Sequence, residues 1–140
     1  MLRQFATELS VSTRGRGLHE ITDQVASLVA GSGIKDGLLT LLIRHTSASL
    51  LIQENADPEV RSDLDRIFAR LVPDGDPIFE HTYEGEDDMA AHVRTALTTV
   101  NLGIPVANGR LTLGTWQGIY VWEHRYRSHR RSIAVHLMGE

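Results

Sequence analysis

The densest group of chemically capable residues in the chain is His45-Thr46-Ser47-Ala48-Ser49, directly after the apolar run Leu38 to Ile43. A run that apolar reads as a buried strand. An imidazole and three hydroxyls therefore arrive where the strand surfaces. Polar groups packed at a strand end are costly unless they meet each other, a ligand or water. The segment thus marks a place where something polar is bound, and its imidazole could transfer protons, meet an anionic oxygen or ligate a metal.

Seven histidines occur in the chain, in unequal settings. His81 precedes the acidic run Glu84-Gly85-Glu86-Asp87-Asp88, and His92 lies four residues after Asp88, on the same face of a helix. His45, His81 and His92 are expected to converge. Three histidines with carboxylates could hold zinc or a similar divalent ion, with a position left open for water. Asp87 and Asp88 are the alternative ligands, suited to a hard cation such as magnesium. The spacing is not diagnostic, for no His-x-x-x-His pair shares a helix and the chain has no cysteine. His45 as a satisfied core residue, His92 as a surface partner of Asp88 and the acidic run as a helix start favoured by the macrodipole are equally consistent.

Further polar residues stand at element ends. Asp57-Pro58 reads as a helix start, aspartate capping and proline in the first turn. Gly114-Thr115-Trp116-Gln117-Gly118 joins two strands, and in the second Gln117, Ile119, Val121 and Glu123 share a face whose polar ends can line clefts. Tyr120 and Trp122 fall on the opposite face and need a cover, from another subunit or from the chain's own helices. Of Arg125, Arg127, Arg130 and Arg131, the last is the candidate to turn inward onto an anion.

The elements that must position these groups follow from periodicity. Phe5 to Val11 alternates as a strand; Ser12 to Gly17 is a polar loop. Thr22 is placed to cap a helix carrying Val25, Leu28 and Val29, ended by Gly31-Ser32-Gly33. Strands are expected over 37–44 and 47–53, then a helix with Val60, Leu64, Ile67, Phe68 and Leu71 on one stripe, stopped by Pro73. After an exposed loop, a helix runs from Asp87 or Asp88 to about Thr98 with Met89, Val93, Ala96 and Leu97 inward. Asn108-Gly109 between apolar flanks predicts a type I′ hairpin, and strands follow over 117–123 and 132–138. The order reads as one α+β domain over 1–140 with mostly antiparallel pairing.

Composition narrows the partners. The charge of −4 and a single lysine, Lys35, argue against nucleic acid. No apolar run approaches a membrane span and the N-terminus lacks a signal-peptide pattern, so a cytoplasmic protein with no membrane partner is expected.

Taken in order, His45-Thr46-Ser47-Ala48-Ser49-Leu50, Glu54-Asn55-Ala56-Asp57-Pro58, Gly85-Glu86-Asp87-Asp88-Met89-Ala90-Ala91-His92, Leu113-Gly114-Thr115-Trp116-Gln117-Gly118 and Glu123-His124-Arg125 resemble the YjbQ family, the group named for secondary thiamine-phosphate synthase activity. The resemblance spans essentially the whole chain; Ala90 replaces a proline common in the third segment. It implies a β-sandwich core flanked by helices, a homotrimer, and a polar pocket holding a metal or an anion. The implied reaction joins a pyrimidine pyrophosphate to a thiazole phosphate and expels pyrophosphate. That reaction needs positive charge on the leaving group and stabilisation of a pyrimidine cation. The catalytic candidates are His45, Asp57, His92 and Glu123; Thr46, Ser47, Asn55, Gln117 and Arg131 are the candidates for binding a small phosphorylated molecule. A metal-dependent hydrolase and a non-catalytic trimeric binding module are the alternative readings.

Overall fold

The computed structural model describes residues 1–140. Eight strands form two antiparallel sheets. β1 (Arg3–Ser12), β8 (Arg130–Gly139), β3 (Gly37–Ile43), β5 (Asn101–Ala107) and β6 (Arg110–Leu111) lie side by side in that order; β7 (Gln117–Glu123) runs between β2 (Gly17–Glu20) and β4 (Ala48–Glu54) in the other sheet. The sheets face each other across one apolar core. Leu39, Leu41, Ile43, Ile133, Val135, Leu137, Ile104 and Val106 come from the first sheet, and Ala48, Leu50, Ile119 and Val121 from the second. Each fully buried aliphatic side chain contributes about 1.5–3 kcal/mol relative to exposure.

α1 (Thr22–Ser32) adds Val25 and Val29 to this core. Its N-terminal residue differs from expectation. Ile21 occupies the cap position without a side-chain bond, and the Thr22 hydroxyl instead donates to Glu20 and accepts from Ile119 N, tying the helix to β7. Gly33 ends the helix at φ 73°, a left-handed conformation open to glycine at little cost. At the hairpin, Asn108 and Gly109 take φ 53° and 75°, as a type I′ turn requires. The polar loop at 12–17 leads into β2, which sequence reading left unassigned; four residues long and at a sheet edge, it has little pattern to read.

The run Leu38 to Ile43 is buried on one face only. Leu38 and Leu42 are 49% and 43% exposed, on the outer side of the five-stranded sheet. The second face of the smaller sheet has its own cover. α2 (Pro58–Leu71), capped by Asp57, lays Phe68 against Trp122 with ring centroids 4.7 Å apart. Tyr120 and Trp122 are thus buried within one chain and no longer argue for a partner subunit.

α3 (Glu86–Leu97) departs most from the pattern of its sequence. Its buried residues are Asp87, Asp88, Ala90, Ala91, Arg94 and Thr95, whereas Leu97 is 60% exposed. The polar stripe wins because each charge finds its opposite: Arg94 meets Asp65 of α2, and Asp87 and Asp88 meet Arg125. Where α3 passes the β3–β4 connection, which carries the chain from one sheet to the other through His45-Thr46-Ser47, the polar residues gather.

Candidate metal and anion site

α3 presents Asp88 and His92 one turn apart, and the loop before it brings His81 onto the same carboxylate. One ligand atom each of His81, Asp88 and His92 lie within 4.8 Å of one another. His81 Nε2 donates to Asp88 Oδ2 at 2.7 Å, and His92 Nε2 stands 3.3 Å from that same oxygen. The edge of a tetrahedron around zinc, with ligand bonds of about 2.0–2.1 Å, is about 3.3 Å. The three atoms therefore suit an ion with small adjustments. Both imidazoles are partly exposed while Asp88 is 2% exposed, so the cluster opens outward from a fixed carboxylate.

His92 and Asp88 are each oriented by a second partner. His92 Nδ1 donates to the Thr46 carbonyl at 2.9 Å, which leaves Nε2 with the ring's lone pair when the imidazole is neutral. Arg125 holds the acids: its Nη1 donates to Asp88 Oδ1 at 2.8 Å, its Nε to Asp87 Oδ2 at 2.9 Å and its Nη2 to the Glu84 carbonyl. Burial pushes the Asp87 carboxyl up, but the Arg125 bond and the Tyr126 N–H outweigh it and hold Asp87 below the usual range. Asp87 is thereby committed to orienting Arg125 and is not a ligand of the cluster. A cavity of about 530 Å³ opens beside it, lined by Tyr83, Glu84, Arg125, Arg127 and His129.

The expected convergence of three histidines is corrected: the third member is Asp88, not His45. His45 sits next door but accepts from Ser132 N and faces Arg131. Glu123, expected to be catalytic, is fully buried and paired with Arg131, Thr13 and the Arg125 N–H. Burial pushes its carboxyl up; the bonds from Arg131 and Thr13 overcome this and keep it ionised below the ordinary range. Arg131 does turn inward, donating to Ser47 O and Oγ at 3.2 and 3.0 Å. Thr46 contributes its carbonyl, with an exposed side chain.

Asn55, Asp57 and Gln117 lie elsewhere. In the β4–β7 register Ala48 faces Glu123 and Glu54 faces Gln117. Six residues of strand, at about 3.3 Å each, therefore separate the two ends by about 20 Å. Asp57 caps α2, accepting from Glu59 N, and Gln117 closes its turn by accepting from Gly114 N. Within one chain these three share no pocket with His92.

Sequence reading missed a buried network beside the site. Arg94, fully buried, donates from Nε to His124 Nδ1 at 3.0 Å and from Nη2 to Asp65 Oδ1 at 2.5 Å; Trp122 Nε1 donates to the same oxygen. Since His124 Nδ1 accepts, its Nε2 carries the hydrogen and donates to Ser49 Oγ at 2.8 Å. A base for Ser49 would need the opposite tautomer, so this serine–histidine pair is structural. Burial, then the charge of Arg94, drives the His124 imidazole down to about 2. The available signal was the stripe Asp87, Ala91, Arg94 and Thr95 at helical spacing, polar where a core face was assumed apolar.

The profile of the family described as "UPF0047 protein YjbQ-like" matches residues 7–140. The UPF0047 protein sll1880 of Synechocystis is 51% identical over 138 residues, 99% of this chain and 94% of that protein. The UPF0047 protein YjbQ of Salmonella typhimurium is 47% identical over 94% of this chain and 96% of its own length. Among solved structures, a YbjQ-like protein of unknown function from Sulfolobus solfataricus superposes with a TM-score of 0.90 at 26% identity, each chain covered in full. An uncharacterised family protein from Clostridium acetobutylicum gives 0.83 at 34% identity over 92% of this chain and 97% of that one.

Proposed function

Because this chain belongs to the YjbQ-like UPF0047 family, whose names state no reaction, we propose its activity from the site: a divalent-metal-dependent enzyme acting on a small phosphorylated molecule. The observation that carries this reading is His92. Its Nδ1 hydrogen is committed to the Thr46 carbonyl, so its Nε2 lone pair faces the Asp88 carboxylate at 3.3 Å. Two electron-rich atoms at that distance repel unless a cation stands between them. A proton there gives an ion pair between two residues; a divalent ion bridges His81, Asp88 and His92 together, with the ligand set of catalytic zinc or iron sites.

An ion there supplies positive charge to a phosphorylated substrate. The chain's residues do the remainder. Thr46 and Arg125 fix the two ligands, and Arg127 and His129 line the adjoining cavity, where phosphate oxygens can be met. Both imidazoles must present an unprotonated Nε2 to the ion, so protons compete with it and affinity falls as pH falls. Thiamine-phosphate formation is the first specific reaction to test, since its pyrophosphate leaving group matches this cationic surround. Hydrolysis of a phosphorylated substrate is the second reading, favoured by the outward opening of the three-ligand set.

Metal analysis of protein purified without chelator tests the site. A stoichiometric zinc, iron or manganese content, lost in His92→Ala and Asp88→Asn, is expected; no metal uptake by the wild type refutes the reading. Pyrophosphate release from the two thiamine precursors, set against phosphate release from a panel of phosphate esters, separates the two reactions. Binding without turnover in either assay leaves the binding module.

A further inference from the structure

His45 and Arg131 hold hydrogen-bonding capacity that the chain does not use. Ser132 N can only donate, and it gives its hydrogen to His45 Nε2 at 2.8 Å. That nitrogen is therefore unprotonated, and the ring's hydrogen is on Nδ1. Nδ1 lies 3.4 Å from Arg131 Nη1, itself a donor with no acceptor capacity. The contact is two N–H groups side by side. The rest of the guanidinium is spent, Nε and Nη2 on Glu123 and Nη2 on Ser47. Arg131 is only 3% exposed, so an unpaired donor on it carries the cost of a desolvated cation. No oxygen of the chain accepts from either Nδ1 or Nη1.

We propose that His45 Nδ1 and Arg131 Nη1 form a notch that binds an anionic oxygen of a phosphate or carboxylate. Two donors from different elements, β8 and the β3–β4 connection, stand 3.4 Å apart, close enough to share one acceptor. A negatively charged oxygen gains more there than water, because one donor belongs to a buried guanidinium. Burial, then the charge of Arg131, holds the imidazole below its ordinary range, in keeping with a neutral ring. The notch is one residue from the metal cluster, since Thr46 orients His92. Its assignment to the substrate's own phosphate rests on the reading above; the donors themselves do not depend on a metal.

The test uses the whole protein, metal-free after chelator treatment and labelled with ¹⁵N-histidine. The expected spectrum shows His45 with its hydrogen on Nδ1. Titration with inorganic phosphate, and separately with acetate, is expected to shift that resonance saturably, and whichever anion does so names the class. His45→Phe is expected to weaken calorimetric phosphate binding at least tenfold while leaving zinc uptake unchanged. A hydrogen on His45 Nε2, or no saturable shift with either anion, overturns the notch, and the wild-type spectra decide this even if the variant folds poorly. Loss of zinc binding with an intact anion response removes the metal reading alone; the reverse removes only the notch.

Discussion

His124 makes the stability of this protein depend on pH well above the carboxylate range. In the folded chain its imidazole is fully enclosed beside Arg94, and burial holds it neutral down to about 2. In the unfolded chain it titrates near 6.5, so between those values the unfolded state binds a proton that the folded state refuses. Stability is therefore complete above pH 6.5 and falls as pH falls. At about 1.4 kcal/mol per pH unit, the loss between pH 7.5 and pH 5 is about 2 kcal/mol. For a chain of this length that lowers the melting temperature by roughly 6–8 °C. Denaturant melts with chelator present, at pH 7.5 and pH 5, measure it directly. The control is His124→Gln, whose amide can accept from Arg94 Nε and donate to Ser49 without titrating. It is expected to be less stable at pH 7.5 and to lose about 2 kcal/mol less than the wild type between the two pH values. His45 also titrates below its ordinary range but is present in both proteins and cancels. A slope unchanged in His124→Gln, or no slope in the wild type above pH 5, refutes the reasoning.

Removal of Glu123 by Glu123→Ala leaves Arg131 buried without its counter-charge and is expected to cost about 3–5 kcal/mol in denaturant melts, whereas the paired change Glu123→Leu with Arg131→Met is expected to recover most of that loss. Below about pH 4, acid titration is expected to destabilise the wild type further, because Glu123, Asp87 and Asp74 are all held below their ordinary range in the folded state and their contribution disappears as they protonate. Ser49→Ala is expected to leave any hydrolytic or synthase activity intact while lowering stability by about 1–3 kcal/mol, since it orphans the His124 Nε2 hydrogen; lost activity in a folded Ser49→Ala protein refutes the tautomer assignment. The homotrimer implied by the resemblance is proposed to cover the outer sheet face bearing Leu38, Leu42 and Met138, and light scattering at micromolar concentration should then give three chain masses; a single mass removes it.

The fold was legible where one pattern dominated. Alternation marked β1 and Asn108-Gly109 marked its hairpin, because local pattern and geometry agree there; the apolar run marked β3, although its Leu38 and Leu42 face outward. Asp57-Pro58 likewise marked the start of α2. The failures lie where long-range pairing overrode local pattern. α3 is amphipathic in the ordinary sense, with Met89, Val93 and Leu97 as its apolar stripe, yet it turns Arg94 and Asp88 inward because Asp65 and Arg125 wait there. Neither partner is close in sequence. Of the site, His81 and His92 were legible from their neighbours in the acidic run. His45, Glu123 and Arg131 were recognisable as polar residues at strand ends, but their roles depend on partners across the sandwich that no spacing reveals. Gln117 was grouped with them because strand ends look alike in sequence, and Asn55 because it stands in a segment that carries the family resemblance; the register puts both at the other end.

The same register explains why the candidate site is built mainly from backbone support. β7 delivers Glu123 at the end where β4 begins, so the carboxylate lies under the β3–β4 connection. Glu123 fixes Arg131, Arg131 fixes Ser47, and the connection so held turns the carbonyl of Thr46 toward His92. From the other side, Glu123 accepts the Arg125 N–H, and the Arg125 guanidinium clamps Asp88. One buried ion pair thus sets the direction of two of the three ligand residues without touching either. Catalytic and metal-binding geometry tolerates errors of only about 0.5 Å. A carboxylate locked by a guanidinium and an imidazole locked by a main-chain carbonyl meet that tolerance better than exposed side chains that choose their own rotamers. His81, the one candidate ligand on a loop and without such a lock, is the member we propose to move as an ion binds.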